Sequence, residues 1–234
     1  MNLITDFQYF PTNTLFKNLN KISNIVFEQY EYYQKMSFRN RCQIAGADGI
    51  IRLSIPLEHG RDQKTIMKDV RIAARQDWQG QHWKTIVSCY NRSPWFEFYQ
   101  DELLKLYRRP FTFLMDWDLA CFEWSVRTLG LSVKISLTDA FQKDYDEKDW
   151  LDLRGAIRPV TIGMLKAPHE PGSGSADHVS HVPGPGIVPS PAPAPPIKYR
   201  QVFEERTGFL PNLSILDLLF CEGKNARSFF GGIS

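Results

Sequence analysis

The segment KMSFRNR (35–41) gathers basic residues in a chain whose charges otherwise balance. Read as a strand, its alternation puts Arg39 and Arg41 on one face. Two guanidinium groups so placed could grip a carboxylate or phosphate bidentately. The alternative is a solvated or ion-paired strand, with Glu28 or Glu31 as partner. Asn40 stands between the two arginines, and Tyr30, Tyr32 and Tyr33 just upstream either line a cleft or pack half-buried with their hydroxyls wet. In GQHWKTI, His82 has a helical setting and is either a general acid or base or a hydrogen-bonded packing residue. Lys84, two residues on, points to another face. Asp217 interrupts the apolar run LSILDLLF one turn after Ser214. If buried it needs a partner, which Arg39 or Arg41 would supply. Asn212 stands at the expected cap of that helix, and capping with first-turn charge accounts for much of this pattern without function. Cys42 beside Arg41 raises the question of a thiol nucleophile, but alternation turns it away from both arginines. His169, His178 and His181 lie in a stretch that a metal would first have to order, so no metal site is expected.

These residues need a scaffold, and the totals allow one. At 234 residues and 43% hydrophobic, the chain can bury a substantial core as one domain. The balance of 28 basic against 26 acidic residues leaves +2, so no overall field favours nucleic acid or a membrane surface. The opening residues lack the features of a signal peptide, and no stretch approaches the ~20 apolar residues that span a bilayer. A cytoplasmic location is expected. The four cysteines show no CxxC spacing, and no phosphate-loop, dinucleotide, serine-hydrolase or zinc-peptidase signature occurs. No cofactor and no oligomeric state can be named from the residues.

The expected fold is α/β, a single mixed-sheet domain with a helical middle section and a docked C-terminal helix. NIVFEQ (24–29) reads as the first strand, and CQIAGADGIIRLSIPL as a hairpin turning at Ala47-Asp48-Gly49. MKDVRI suggests another strand. Trp78, His82, Ile86 and Cys89 recur at helical spacing. A second helix is expected after Ser93-Pro94 with Ser93 as cap, and a third over about 112–129 ending at Gly130. LSVKIS then returns the chain to the sheet. The body is placed at residues 1–166. A flexible Pro/Gly-rich loop or linker follows over 167–197, and residues 198–234 form a segment that packs back on the body.

EQYEYYQKMSFRNRCQIAG, IRLSIPLE, QDWQGQHWKTI, YNRSPWFEFYQDEL and YRQVFEERTGFLPNLSILDLLFCEG together resemble the WbqC-like protein family, over about Leu3 to Pro159 and Lys198 to Ala226. That family is bacterial and associated with O-antigen and other surface-polysaccharide biosynthesis. The resemblance therefore implies a small-molecule or sugar-nucleotide substrate, an activated sugar or a group that decorates one. The positions in matching motifs are Gln8 to Pro11 with Tyr9 among them, Arg39, Asn40, Arg41, His82, Lys84, Tyr90, Asn212, Ser214 and Asp217; the resemblance assigns none of them a role. The expected enzyme is a transferase with His82 and Asp217 as catalytic residues, His82 acting as general base. Arg39 and Arg41 would hold an anionic group, and Tyr9, Asn40, Lys84, Tyr90, Asn212 and Ser214 would contact ligand. The alternative is a non-catalytic binding or interaction module that presents Trp95, Phe96, Phe98 and Tyr99 in an exposed patch.

Overall fold

The computed structural model describes residues 1–19, 22–74, 76–159 and 196–231. The expected linker therefore falls, but for its last two residues, outside the described residues. The first strand is β1 (Asn2–Thr5), followed by α1 (Asn13–Lys17) and β2 (Asn24–Phe27). A hairpin of β3 (Arg41–Gly46) and β4 (Gly49–Ser54) turns over Ala47-Asp48, with Gly46 opposite Gly49. Then come α2 (Trp78–Tyr90), α3 (Phe96–Tyr107), α4 (Leu114–Thr128), β5 (Lys134–Leu137), β6 (Trp150–Asp152), α5 (Glu204–Thr207) and α6 (Ile215–Glu222).

The main sheet has four strands in the order β5-β2-β1-β6, and every pairing is parallel. The α/β expectation holds, with antiparallel pairing in the separate hairpin and in isolated bridges outside the main sheet. Strands buried on both faces read as continuous apolar runs rather than as alternation, and Leu3, Ile4 and Ile25 are fully buried. The chain lays β1, β2 and β5 outward in one direction, then crosses to the other side of β1 for β6. Between β1 and β6 the direction in which strands are added reverses, and beyond the strand C-termini at such a place open parallel sheets seat ligands.

Several local expectations change. NIVFEQ holds the second strand of the chain, not the first. MKDVRI forms a 3-10 turn over Met67–Asp69 and two isolated bridges, Leu57 with Ile72 and Arg71 with Phe113. Ser93 does not cap α3; its hydroxyl donates to the Tyr90 carbonyl, and the helix starts after Trp95. Ser214 rather than Asn212 caps α6, accepting from the Leu216 amide, while Asn212 takes a left-handed conformation at φ 56°.

α6 packs against β3 and α3, and every residue from Ile215 to Phe220 is buried. It ends at Gly223, where φ is 56° and an added Cβ would lie 2.1 Å from the Trp95 ring. Both the conformation and the close approach demand glycine. Gly223→Ala should cost about 1–3 kcal/mol, read as a fall of several degrees in melting temperature with the transition still cooperative.

Candidate functional site

Four strands deliver polar residues to one edge of the sheet. Asp6 follows β1, Glu28 follows β2, Thr138 follows β5, and Asp152 and Arg154 close β6. Glu28 is fully buried and accepts hydrogen bonds from the Tyr30 amide at 2.8 Å and the Thr138 hydroxyl at 3.0 Å. Arg154 stands 3.6 Å from its other oxygen and donates to Asp152 at 2.6 Å. Asp6 accepts from the Gly155 amide at 2.9 Å, which ties the end of β1 to the segment after β6.

Arg39 enters this edge from outside the sheet. It lies in a turn before β3, pinned where the Phe38 carbonyl accepts from the Tyr9 amide at 3.0 Å and where Asn40 donates to the Ile55 carbonyl at 3.0 Å. Strand alternation therefore does not apply across 39–41. Arg39 is buried, whereas Arg41 is half-buried at the start of β3 with Nη1 3.1 Å from the Met36 sulfur. The Arg39 Nη2 forms ion pairs with Asp6, at 3.2 Å, and with Glu31. The Asp6 approach is an ion pair without hydrogen-bond geometry, since Asp6 Oδ1 has no hydrogen-bond partner. Glu31 is thus the partner, of the two the sequence offered.

Asp118 is a further buried carboxyl that feels the Arg39 charge. It sits on the inner face of α4 with Leu114, Trp117, Cys121 and Phe122, and neither of its oxygens has a hydrogen-bond partner. Burial pushes its carboxyl well above the ordinary value, with the Arg39 charge acting in the opposite direction. Glu31 is raised to about 7, by burial first and by the field of Asp6 second, against the pull of Arg39. Burial alone would lower the Arg39 pKa, but Asp6 and Glu31 outweigh it and raise it. Two carboxyls, Asp6 and Glu31, meet one guanidinium, and protonation of Glu31 relieves the excess negative charge.

Behind this edge lies an aromatic wall. The Tyr9 hydroxyl is 2.9 Å from His82 Nδ1 and 2.7 Å from the Tyr107 hydroxyl, with Trp78 and Trp117 edge-on to Tyr9. His82 also hydrogen-bonds the Ser54 backbone. If Nε2 donates to that carbonyl, Nδ1 accepts from Tyr9, and Tyr9 accepts from Tyr107. Burial lowers the His82 pKa to about 4, although the Ser54 bond opposes this. The imidazole is neutral at neutral pH with both nitrogens engaged.

Asp217 belongs to a different network. It is fully buried and accepts from Tyr90 at 2.5 Å and Tyr199 at 2.6 Å, so hydroxyls rather than Arg39 or Arg41 are its partners. Tyr90 itself accepts from the Ala45 amide at 2.9 Å, and Tyr199 from Asn13 at 3.1 Å. Both hydroxyls must then donate to residue 217, which calls for an ionised carboxylate. Burial raises the Asp217 pKa to about 6, and the two hydroxyl bonds limit the rise.

The remaining expected residues are dispersed. Lys84 is exposed. Ser214 caps α6 and bonds Cys42, whose thiol burial pushes up to about 12, far from a thiolate at neutral pH. Asn212 accepts from Thr14 at 2.7 Å. Of the expected aromatic patch, Phe96 and Tyr99 are buried and Trp95 half-buried; Phe98 alone is exposed, with Lys224 over its ring. Two open surface cavities, of about 660 Å³ along Lys198–Glu205 and about 240 Å³ between α3 and α4, have no member of the Arg39 cluster in their linings. Among the described residues no group of three or more His, Cys, Asp or Glu could hold a metal ion, and no helix is long and apolar enough to cross a membrane.

Asp6, Glu31 and Asp118 were not among the expected site residues. Asp118 carried a readable signal, a lone acid on the apolar face of a helix. Asp6 became visible only with β1 in place. Residues 7–157 match the WbqC-like protein family. The chain belongs to that family. The match spans Glu31, Arg39, His82 and Asp118, whereas Asp6, Tyr199 and Asp217 lie outside it. Neither the curated proteins nor the solved structures compared with the chain gave a match.

The folded-state pKa of Glu31, about 7, exceeds its ordinary 4.5. Its contribution to stability is therefore complete below the ordinary value and lost as pH rises through the folded one. Melting temperature should fall across that window in wild type, and Glu31→Gln should remove this component of the fall. Asp217→Asn should cost about 1–3 kcal/mol in urea denaturation, because its amide nitrogen would face a hydroxyl that must donate.

Proposed function

We propose that this WbqC-like protein is a transferase of bacterial O-antigen or surface-polysaccharide biosynthesis. Its substrate would be a cytoplasmic activated sugar or a group that decorates one, and the Arg39 cluster would be its reaction centre. The observation that carries the reading is the Asp6–Arg39–Glu31 arrangement at the C-terminal edge of a parallel sheet, beside the crossing point between β1 and β6. The WbqC-like resemblance supplies the polysaccharide context.

Glu31 is the general base in this scheme. Its side chain is 12% exposed against 1% for Arg39, so it is the member that meets arriving substrate. A carboxylate titrating near 7 has the driving force for proton transfer at neutral pH. Glu31 takes the proton from an acceptor hydroxyl or amine as that atom bonds to the electrophilic carbon of the donor. The bond from this carbon to its leaving group breaks with its electron pair, and the proton departs with the leaving group or to water. Arg39 holds Glu31 and Asp6 in place, a positioning role that replaces the anion grip expected of it. His82 and Tyr9 form the wall behind.

With a donor and acceptor from surface-polysaccharide assembly, Glu31→Gln should lower kcat by roughly 10²–10⁴-fold. The limb near pH 7 should also vanish from its pH–rate profile. A variant as active as wild type across that range would remove Glu31 as the base.

A further inference from the structure

Glu28 is a fully buried carboxyl with no part in the transferase scheme. Burying such a group is costly unless it is paired and hydrogen-bonded, and the partners of Glu28 come from three places in the chain. Its Oε1 accepts from the Tyr30 amide at 2.8 Å and from the Thr138 hydroxyl at 3.0 Å, and Arg154 Nη1 stands 3.6 Å from Oε2. Thr138 also holds the next residue: its hydroxyl accepts from the Gln29 amide at 3.2 Å and its carbonyl from the Gln29 side chain at 2.6 Å. These bonds act on the segment that carries Glu31. That segment has a second set of partners, since the Gln29 and Glu31 carbonyls accept from the Lys68 and Met67 amides at 3.1 and 2.9 Å, and the Tyr33 amide donates to the Thr65 carbonyl at 2.8 Å. The second set fixes the path of residues 29–33 against 65–68 but does not reach the sheet. Glu28 and Thr138 supply that link, because they follow β2 and β5.

We infer that Glu28 is a positioning residue for Glu31: through the Tyr30 amide and the Thr138 hydroxyl it ties the segment bearing Glu31 to the ends of β2 and β5, which holds the Glu31 carboxyl on Arg39. The inference rests on the transferase reading for the chemistry that Glu31 then performs. Glu28 acts here through accepted hydrogen bonds rather than through its charge. A glutamine offers the same acceptor oxygen, whereas a methionine of similar length offers only a weakly accepting sulfur. Without the link, Glu31 is free to leave Arg39 and turn towards water, away from the burial and the Asp6 field that raise its pKa.

The test is a ¹³C NMR titration of the glutamate carboxyls in the full chain, which needs no substrate, on wild type, Glu28→Gln, Glu28→Met and Thr138→Val. The Glu31 resonance, identified by its absence from Glu31→Gln, should keep its midpoint near 7 in Glu28→Gln. In Glu28→Met and in Thr138→Val the midpoint should fall by about one pH unit or more, as Glu31 gains water and leaves Asp6. Should Glu28→Met fail to fold, Thr138→Val decides alone, because it keeps the Glu28 carboxyl and a side chain of similar shape. Equal falls in Glu28→Gln and Glu28→Met assign the effect to charge and overturn the inference. A midpoint that stays near 7 in Glu28→Met or in Thr138→Val overturns it as well. A wild type with no glutamate midpoint near 7 removes the base of the transferase reading, and with it anything for Glu28 to position. Glu31→Gln as active as wild type, beside the expected pattern of midpoints, removes Glu31 as the base while leaving the positioning by Glu28 intact.

Discussion

A guanidinium cannot be buried uncompensated, and Arg39 is buried almost completely. Removing such a charge from water costs several kcal/mol, and breaking its pairing by removing one partner typically costs about 3–5 kcal/mol. The surrounding architecture meets this demand. Asp6 comes from the end of β1 and Glu31 from the segment after β2. Because Asp6 also accepts from the Gly155 amide, the same ion pair joins the segments leaving β1 and β6. One cation thus holds two carboxyls from separate parts of the chain at a sheet edge suited to ligands, and its field reaches a third, Asp118.

Around this centre, two neutral or self-contained networks keep the walls still. Tyr107, Tyr9 and His82 form one, within a packed group of indole and phenol rings. Asp217, Tyr90 and Tyr199 form the other, joining α6, α2 and the segment before α5. Each carries buried polar groups whose partners are few and fixed, so each specifies one arrangement of the elements it joins. His82 and Asp217 each sit inside one of these networks, and in the proposed transferase scheme the acid–base role falls to Glu31.

Helices and hairpin were legible because their signals are local. Trp78, His82, Ile86 and Cys89 trace one helical face, and Ala47-Asp48-Gly49 turns two β-prone runs. β1 and β6 were not, since strands of four and three residues carry too little pattern to stand out. Missing β1 hid Asp6, and with it the reason for burying Arg39. KMSFRNR looked like a strand offering two free arginines, but alternation holds only inside a ladder, and the ladder starts at Arg41. Glu31 could be named as a possible partner; that it would titrate near neutrality depends on its burial beside Asp6, which no local pattern encodes. Asp217 was rightly read as an acid needing a partner when buried, but its tyrosine partners come from α2 and from beyond the Pro/Gly-rich stretch, at separations of 127 and 18 residues.

Everything in this site turns on Glu31, which beside Asp6 and Arg39 at a buried sheet edge takes up and releases its proton around neutral pH. A titration of the glutamate side-chain carboxyls, labelled with ¹³C and followed by NMR, addresses it directly. One resonance with a midpoint near 7, absent from Glu31→Gln, is the predicted result. If every glutamate instead titrates in the ordinary carboxylate range, around 4, the cluster holds no such proton and the account of the site is contradicted.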